Sequence, residues 1–258
     1  PTIICPQNLE SFDVGVSSRW HKWGAYTIAI DFANEFEVFA QSTNRLFISK
    51  IETALINGLG LLSHYYPYLP VGQIRERYLQ IRQARAQGGV EPGLFLMLGT
   101  AKHETTGESF TWFVQNVQAH GLPGGVKVVV GGLGTDELQP ADSSMPGLEL
   151  RGWLEQDELD RLLVRANAVL IPQRSGFGAL TRLPELACAG IPAIVSKHAT
   201  YALNTPPGLE ILDDNCWDTW YAKIEQCASQ KAQLLQDDYY AWEEEQPKTL
   251  EAVLKKFR

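Results

Sequence analysis

The sequence predicts an α/β protein built on parallel sheets. Short apolar runs that fit buried strands alternate with segments that carry apolar residues at helical spacing. Strands that alternate with helices in this way pair in parallel, and the helices cover both faces of the sheet. A glycine- and proline-rich break at residues 88–93 divides this alternation into two halves.

In the first half, apolar runs predict strands at residues 2–5, 46–49 and 61–65, and helices at 28–44, 50–57 and 73–87. The first helix spaces Phe32, Phe36 and Phe39 along one face, which indicates contact with a core. The last helix carries Arg75, Arg77, Arg82 and Arg85. Such a helix usually presents a solvated face, and docking to a membrane surface is the alternative.

The second half shows the same alternation more clearly. Strands are expected at 94–98, 126–130, 148–150, 168–171, 193–195 and 209–212, with a loop at 100–107 and helices at 108–119, from Thr181 and from Trp217 onward. A further helix precedes the strand at 168–171 and places Leu159, Leu162, Leu163 and Ala166 on one face. The acidic run at 243–245 is expected to be a solvated corner.

Composition excludes several classes of function. A net charge of −8 argues against broad nucleic-acid binding, which needs a basic face. The four cysteines and five histidines show no metal-ligand spacing, so neither a metal nor a disulfide is expected, and the cysteines indicate a reducing, cytoplasmic setting. No apolar run approaches the roughly 20 residues of a membrane-spanning helix, and no signal peptide is evident.

The glycine-bearing loop at 175–178 (Ser-Gly-Phe-Gly) follows the apolar strand at 168–171. Gly176 and Gly178 allow the backbone to approach a ligand closely. The next helix begins near Thr181, and the N–H groups and positive dipole of a helix N-terminus favour an anion. This strand, loop and helix start therefore predict a phosphate-binding site.

Arg182 and Glu185 lie three residues apart in that helix, on one face. The guanidinium of Arg182 can neutralise a diphosphate, and the carboxylate of Glu185 can accept hydrogen bonds from ribose hydroxyls. The alternative is a tight turn in which Arg182 and Glu185 form a local ion pair. Spacing alone does not separate these two interpretations.

A second glycine cluster, Gly131-Gly132-Leu133-Gly134, invites comparison with dinucleotide-binding loops. It lacks the third glycine of that fingerprint and is followed by 135–137 and then Pro140, not by a clear helix. A turn, or a loop that places backbone near a ligand, fits better.

The stretch from 148 to 196 resembles the donor-binding half of group-1 retaining glycosyltransferases with the GT-B fold. It shares with them, in order, a strand that leads to a glycine, a helix, an apolar strand that ends in proline, a glycine-rich loop and a helix. The matching residues are 150–153 (LRGW), 158–160 (ELD), 169–172 (VLIP), 176–178 (GFG) and 183–192 (LPELACAGIP). Residues 46–70 resemble the end of that family's first domain, and Asn8 and Glu10 resemble its "hN.Es" loop.

The resemblance implies two Rossmann-like domains that face a cleft, the first of them truncated, and a helical C-terminal tail. It divides the chain into a partial acceptor-side domain at 1–72, a helical linker at 73–92, a nucleotide-sugar-binding domain at 93–215, and C-terminal helices at 216–258 that cross back to the first domain. No cofactor or obligate metal is implied, because the nucleoside diphosphate sugar is the substrate. The partners implied are this donor and a sugar or lipid-linked acceptor; peripheral contact with the inner membrane face and the oligomeric state are left open.

The resemblance also implies site residues. Those on the donor side are Gly99, Thr100, Gly152, Trp153, Gly176, Phe177, Gly178, Thr181 and Glu185; the catalytic candidates are Arg182 and Lys102; those on the acceptor side are Asn8 and Glu10. Glu185 is expected to bind the ribose, and Gly152 and Trp153 to edge the base.

The chain also departs from the family pattern. Phe177 stands where an acidic residue is frequent, and the spacing of residues 176–185 fits a GxGxxxRxxE variant in which Arg182 is the basic residue. Thr100 and 105–107 stand where an arginine and a lysine usually grip the diphosphate, and Gln7 replaces a histidine.

The first functional hypothesis is therefore a glycosyltransferase of polysaccharide or glycolipid biosynthesis that acts with retention. The second is a degenerate, non-catalytic nucleotide-sugar-binding subunit. A nucleotide-sugar epimerase on the same fold would need a catalytic carboxylate set that the sequence does not reveal.

Overall fold

The computed structural model describes residues 3–6, 9, 11, 24–138, 145–213, 216–230 and 238–255. Its strands are β1 Ile3–Ile4, β2 Asn44–Phe47, β3 His64–Tyr65, β4 Leu94–Leu98, β5 Lys127–Gly131, β6 Leu148–Gly152, β7 Ala168–Ile171, β8 Ala193–Ser196 and β9 Leu209–Leu212. Its helices are α1 Ala25–Gln41, α2 Lys50–Gly58, α3 Gly72–Ala84, α4 Glu104–His120, α5 Gln156–Arg165, α6 Arg182–Cys188, α7 Trp217–Ser229 and α8 Asp238–Lys255. The fold is an α/β fold of the Rossmann-like type, as predicted.

The larger sheet positions the candidate site. Its strands are all parallel and lie in the order β6-β5-β4-β7-β8-β9. The chain enters at β4, builds outward to β6, and then crosses to β7 on the other side of β4. In open parallel sheets, ligands bind outside the carboxyl ends of the strands at such a reversal. The topology therefore points to the loops that follow β4 and β7.

The smaller sheet is a parallel three-stranded unit in the order β1-β2-β3. Leu9, Phe39, Phe47 and Ile56 are buried beside it. Phe39 and Phe47 meet edge to face, with ring centroids 5.4 Å apart, an arrangement that aromatic pairs favour. The predicted aromatic stripe on the first helix therefore reaches the core through Phe39.

The end of that first helix is a correction to the sequence prediction. The helix expected at 28–44 runs from Ala25 to Gln41, and the strand expected at 46–49 begins at Asn44. Ser42 is extended, and the side chain of Arg45 is buried against the helix end, where its Nε donates to the carbonyl of Phe39 at 2.5 Å. The apolar pattern suggested a longer helix. The helix ends earlier because β2 pairs in the sheet and the Arg45 side chain binds the carbonyls at the helix end.

The loop expected at 100–107 is also wrong. Helix α4 begins at Glu104, one turn earlier than predicted, and Thr105 and Thr106 are buried in its first turn. Gly107 allows this packing, because a Cβ there would lie 2.3 Å from the carbonyl oxygen of Ala101. Threonine and glycine have low helix propensity, so the sequence did not indicate a helix here. The close packing of this turn against Ala101 stabilises the helix.

The arginines of α3 are partnered, whereas a solvated face was predicted. Arg77 pairs with Asp160 of α5, and Arg82 Nη1 donates to the carbonyl of Ala187 at 3.0 Å. Arg85, just beyond α3, is 1% exposed and donates to the carbonyls of Leu163, Val164, Ala166 and Gly190. These carbonyls lie at the ends of α5 and α6, so the arginines fasten α3 to the larger unit.

The acidic run at 243–245 lies within α8 rather than in a corner between helices. Arg75 and Glu243 form a salt bridge of 2.8 Å, which ties α8 to α3. Buried Tyr239 of α8 packs with Ala187 and Cys188. The described part of α8 therefore contacts α3 and α6, and the domain boundaries stay a prediction.

Candidate functional site

A cleft of about 670 Å³ opens at the carboxyl ends of β4 and β7, where the sheet topology places a ligand site. The larger sheet's loops form one wall, and Ile48, Tyr68 and Ile74 of the β2–α3 region form the other. The remaining lining residues are Thr100, His103, Thr105, Thr106, Gln173, Gly176, Gly178, Ala179, Leu180, Thr181 and Arg182. The cleft therefore brings together Thr100, Gly176, Gly178, Thr181 and Arg182 of the residues predicted from sequence.

The floor at β4 depends on two glycine loops that touch through their backbones. Gly132 has φ +135°, and a Cβ there would lie 1.8 Å from the carbonyl oxygen of Gly99. Gly99 N donates to Gly131 O at 3.1 Å, and Ala101 N donates to Leu133 O at 2.9 Å. The 131–134 glycines therefore support the loop after β4, which accounts for them without a dinucleotide.

The N-terminus of α4 opens into the cleft through His103, Thr105 and Thr106. His103 Nδ1 lies 3.1 Å from the hydroxyl oxygen of Thr105, which fixes the ring beside the first turn. First-turn N–H groups lack intrahelical partners, and the positive end of the helix dipole favours negative charge. These N–H groups and the helix dipole favour an anion at this corner, and the carboxylate of Glu104 in the same turn opposes it.

The glycine loop after β7 is held from outside by two side chains. His198 Nε2 lies 2.7 Å from the carbonyl oxygen of Gly176, and Ser49 Oγ donates to the carbonyl of Phe177 at 2.8 Å. A trans peptide directs its C=O and N–H to opposite sides. The anchored carbonyls share their peptide groups with the N–H groups of Phe177 and Gly178. These two N–H groups therefore point away from His198 and Ser49. Ser49 is fully buried and also caps α2, so it fastens the loop to the smaller unit.

Arg182 lies at the start of α6, between the cleft and the end of β4. Its Nη1 donates to the carbonyl oxygen of Leu98, and burial lowers the pKa of its guanidinium. Within the described residues it forms no salt bridge with Glu185, so the local ion pair considered from sequence is not formed. The guanidinium fork carries five N–H donors, and Arg182 lines both the cleft and the smaller pocket beside it.

Glu185 is held by two tyrosines. Tyr68 OH donates to Oε1 at 2.7 Å, and Tyr78 OH donates to Oε2 at 2.9 Å. Burial, together with the charge and hydrogen bond of Glu185, raises the pKa of both tyrosines, so both hydroxyls stay protonated as donors. Glu185 lines a smaller pocket of about 220 Å³ beside the cleft, together with Tyr78 and Arg182.

Other predicted residues lie elsewhere along the sheet edge. Gly99 lines the smaller pocket, and Phe177 contributes its anchored carbonyl. Gly152 N donates to Thr135 Oγ1 at 3.0 Å at the end of β6, and neighbouring Trp153 is 70% exposed.

Lys102 forms an exposed ion pair with Glu137 and is not among the lining residues of the cleft. Asn8 and Glu10, with Gln7, lie outside the described residues. The roles proposed for these residues stay predictions.

The site residues that no sequence pattern nominated include Ser49, Tyr68, Tyr78, His103 and His198. A weak signal existed for His103, which directly precedes α4, and for Tyr68, which lies in a proline-flanked aromatic run at 65–70. The other three act on residues more than 20 positions away, and nothing local marks them.

No helix in the described ranges is long and apolar enough to cross a membrane.

The chain is similar to known proteins in structure but not detectably in sequence. No family model and no curated protein matches the chain by sequence. By structure, sucrose-phosphate synthase from Thermosynechococcus elongatus is similar with a TM-score of 0.66 and 13% identity, over 99% of this chain and 67% of that chain. HepE from Anabaena, in complex with UDP and glucose, has a TM-score of 0.61 and 12% identity, over 100% of this chain and 71% of that one.

WaaG, a glycosyltransferase involved in lipopolysaccharide biosynthesis, has a TM-score of 0.52 and 14% identity, over 82% of this chain and 60% of that chain. At these identities the likeness concerns the fold. The chain therefore has a GT-B-like fold, as these solved structures do.

Proposed function

We propose that this protein binds a nucleoside diphosphate sugar in the cleft at the carboxyl ends of β4 and β7 and transfers the sugar to an acceptor, with retention. One observation carries the proposal. The N-terminus of α4, the glycine loop at 175–178 and the guanidinium of Arg182 converge at the reversal of strand order. The fold shared with glycosyltransferases, one of them complexed with UDP and glucose, agrees with this ligand class.

In this proposal the diphosphate lies against the first turn of α4 and Arg182. Sugar transfer leaves negative charge on the departing diphosphate, and donors that are already in place stabilise that charge without reorganisation. The backbone of Gly176, Phe177 and Gly178 contacts the sugar and diphosphate, and Glu185 accepts from the ribose. The rate enhancement then comes from positioning and charge stabilisation. No metal enters the proposal.

The acceptor, a sugar or lipid-linked molecule, is proposed to enter from the opposite wall of the cleft. Ile48, Tyr68 and Ile74 form that wall, and the side chain of Ile74 is 49% exposed.

A second candidate is a non-catalytic subunit that binds a nucleotide sugar. The position of Lys102 favours it, because the lysine pairs with Glu137 on the surface and does not line the cleft. Phe177, which stands where the group-1 pattern that the sequence resembles often has an acidic residue, favours it as well. Both candidates use the same donor site and differ in turnover.

Calorimetry with UDP, ADP and GDP tests the donor site. We expect wild type to bind at least one of them, and Glu185→Ala to bind it about tenfold or more weakly, since hydrogen bonds to a charged carboxylate are lost. Glu137→Ala is the matched control, because it removes an exposed carboxylate near the same sheet edge. Equal affinity of wild type and Glu185→Ala would contradict the role of Glu185.

A turnover assay separates the two candidates. Release of sugar from a panel of nucleoside diphosphate sugars is measured for wild type and for Arg182→Ala. Donor-specific release that disappears in the variant supports the transferase, whereas donor binding without any release supports the non-catalytic subunit.

A further inference from the structure

The proposed function does not explain why two tyrosine hydroxyls hydrogen-bond to the carboxylate of Glu185. Both of its oxygens already accept a hydrogen bond, one from Tyr68 and one from Tyr78. Neither tyrosine belongs to the larger sheet or its loops. Tyr78 lies on α3, and Tyr68 lies in the segment that joins β3 to α3.

The two tyrosines hold different positions. Tyr68 lines the main cleft, whereas Glu185 and Tyr78 line the smaller pocket beside it. Tyr68 therefore stands between the cleft and Oε1 of Glu185. A ribose hydroxyl that reaches Oε1 from the cleft therefore reaches an oxygen to which Tyr68 already donates. Tyr78 approaches Oε2 from the side of the smaller pocket.

We propose that Tyr68 is a specificity-determining residue whose hydroxyl competes with a ribose hydroxyl for Oε1 of Glu185. The inference rests on the proposed function, since it assumes that a nucleotide occupies the cleft. When the nucleotide binds, the hydrogen bond from Tyr68 is exchanged for one from the ribose. The hydrogen bond given up by Tyr68 then reduces the net contribution of the ribose to affinity, without cancelling it.

The chemistry of the three side chains supports an exchange. A phenol and a ribose hydroxyl each donate one O–H to a carboxylate oxygen. That oxygen has two lone pairs, so the exchange follows from the position of Tyr68, which lines the cleft and donates to Oε1. Burial and Glu185 raise the pKa of Tyr68, so its hydroxyl remains a donor and competes throughout the ordinary pH range. Tyr78 keeps Oε2 occupied and so holds the carboxylate in place while Oε1 changes partner.

Two conservative variants test the proposal. Tyr68→Phe and Tyr78→Phe each delete one hydroxyl and keep the ring, and thermal unfolding confirms that each variant is folded. Calorimetry measures the Kd of UDP, ADP and GDP, and of the 2′,3′-dideoxy form of each, for wild type and both variants.

We expect Tyr68→Phe to bind the ribonucleotide about threefold to tenfold more tightly, the range of one net hydrogen bond. Its Kd for the dideoxy form should stay within about twofold of wild type, because that ligand has no hydroxyl to exchange. Tyr78→Phe should bind the ribonucleotide no more tightly than wild type. An unchanged or weaker ribonucleotide affinity in Tyr68→Phe overturns the proposal, as does equal tightening for both sugar forms.

Failure of the proposed function gives a different result. In that case neither the ribonucleotides nor the dideoxy forms bind to wild type or to either variant, and both inferences fall together. Binding that does not respond to Tyr68→Phe overturns only the exchange.

Discussion

Two corners at the carboxyl edge of the larger sheet each carry a glycine loop and a nearby cation, and only one of the two cations lines the cleft. At the β4–β7 corner, Arg182 donates to the carbonyl of Leu98 and lines the cleft. At the β5–β6 corner, Lys102 lies over the loop at 131–134 and pairs with Glu137, both side chains being more than half exposed. The sequence nominated both cations, and only Arg182 reaches the cleft.

The difference follows from strand order. A ligand crevice forms where the chain turns from one side of β4 to the other, and β5 and β6 lie on one side of that point. Loops after β5 and β6 therefore support or border the site. The glycines at 131–134 illustrate this support, because they allow the backbone contact beneath Gly99.

The largest expected effect comes from breaking the contact between the two corners. Gly132→Ala places a Cβ 1.8 Å from the carbonyl oxygen of Gly99, at a φ of +135°. The neighbour is backbone and cannot move aside cheaply, so we expect a loss of about 3 kcal/mol or more in the free energy of unfolding. Urea denaturation measures it.

Gly124→Ala is the matched control. A Cβ at Gly124 meets nothing within 4 Å, and we expect a change within about 0.5 kcal/mol. Equal stability of the two variants would mean that the corners do not depend on this backbone contact.

The next effect concerns the cation of the β4–β7 corner. Arg182→Met removes the guanidinium and leaves the carbonyl of Leu98 without its donor. We expect nucleoside diphosphate affinity to fall about tenfold to a hundredfold, as for the loss of a charge-assisted contact. Calorimetry measures this loss, with Arg151→Met as control, because Arg151 pairs with Glu149 and Glu158 on the surface. A larger loss in Arg151→Met would reverse the assignment of the two corners.

The smallest effect is expected at Lys102. Its pair with Glu137 is exposed, and such pairs contribute about 0–1 kcal/mol to stability. Lys102→Ala should therefore change nucleotide affinity and sugar release by less than about twofold, the equivalent of under about 0.5 kcal/mol. A strong loss of sugar release with intact binding would instead support the predicted role of Lys102 as a catalytic residue.

Local patterns predicted much of the larger sheet. The strands expected at 94–98, 168–171 and 209–212 have those bounds in the structure. Short apolar runs bounded by glycine, proline or polar residues leave few alternatives to a buried strand. The start of α4 was missed because threonine and glycine disguised a helix that burial stabilises.

The sequence by itself determined the order of strand, glycine loop and helix from 148 to 196, and hence that Arg182 and Glu185 share a helix start behind Gly176 and Gly178. Periodicity and turn chemistry act over a few residues, which is enough to identify each element of this motif in turn.

Only the tertiary structure decided what these residues touch. Ser49 reaches Phe177 across 128 positions, and Tyr68 and Tyr78 reach Glu185 across 117 and 107. Contacts at such separations depend on how whole elements pack, because hydrogen-bond partners are chosen by the burial of both groups and not by local pattern. For that reason the sequence nominated Glu185 for a ribose, and the structure revealed the tyrosines that already occupy it.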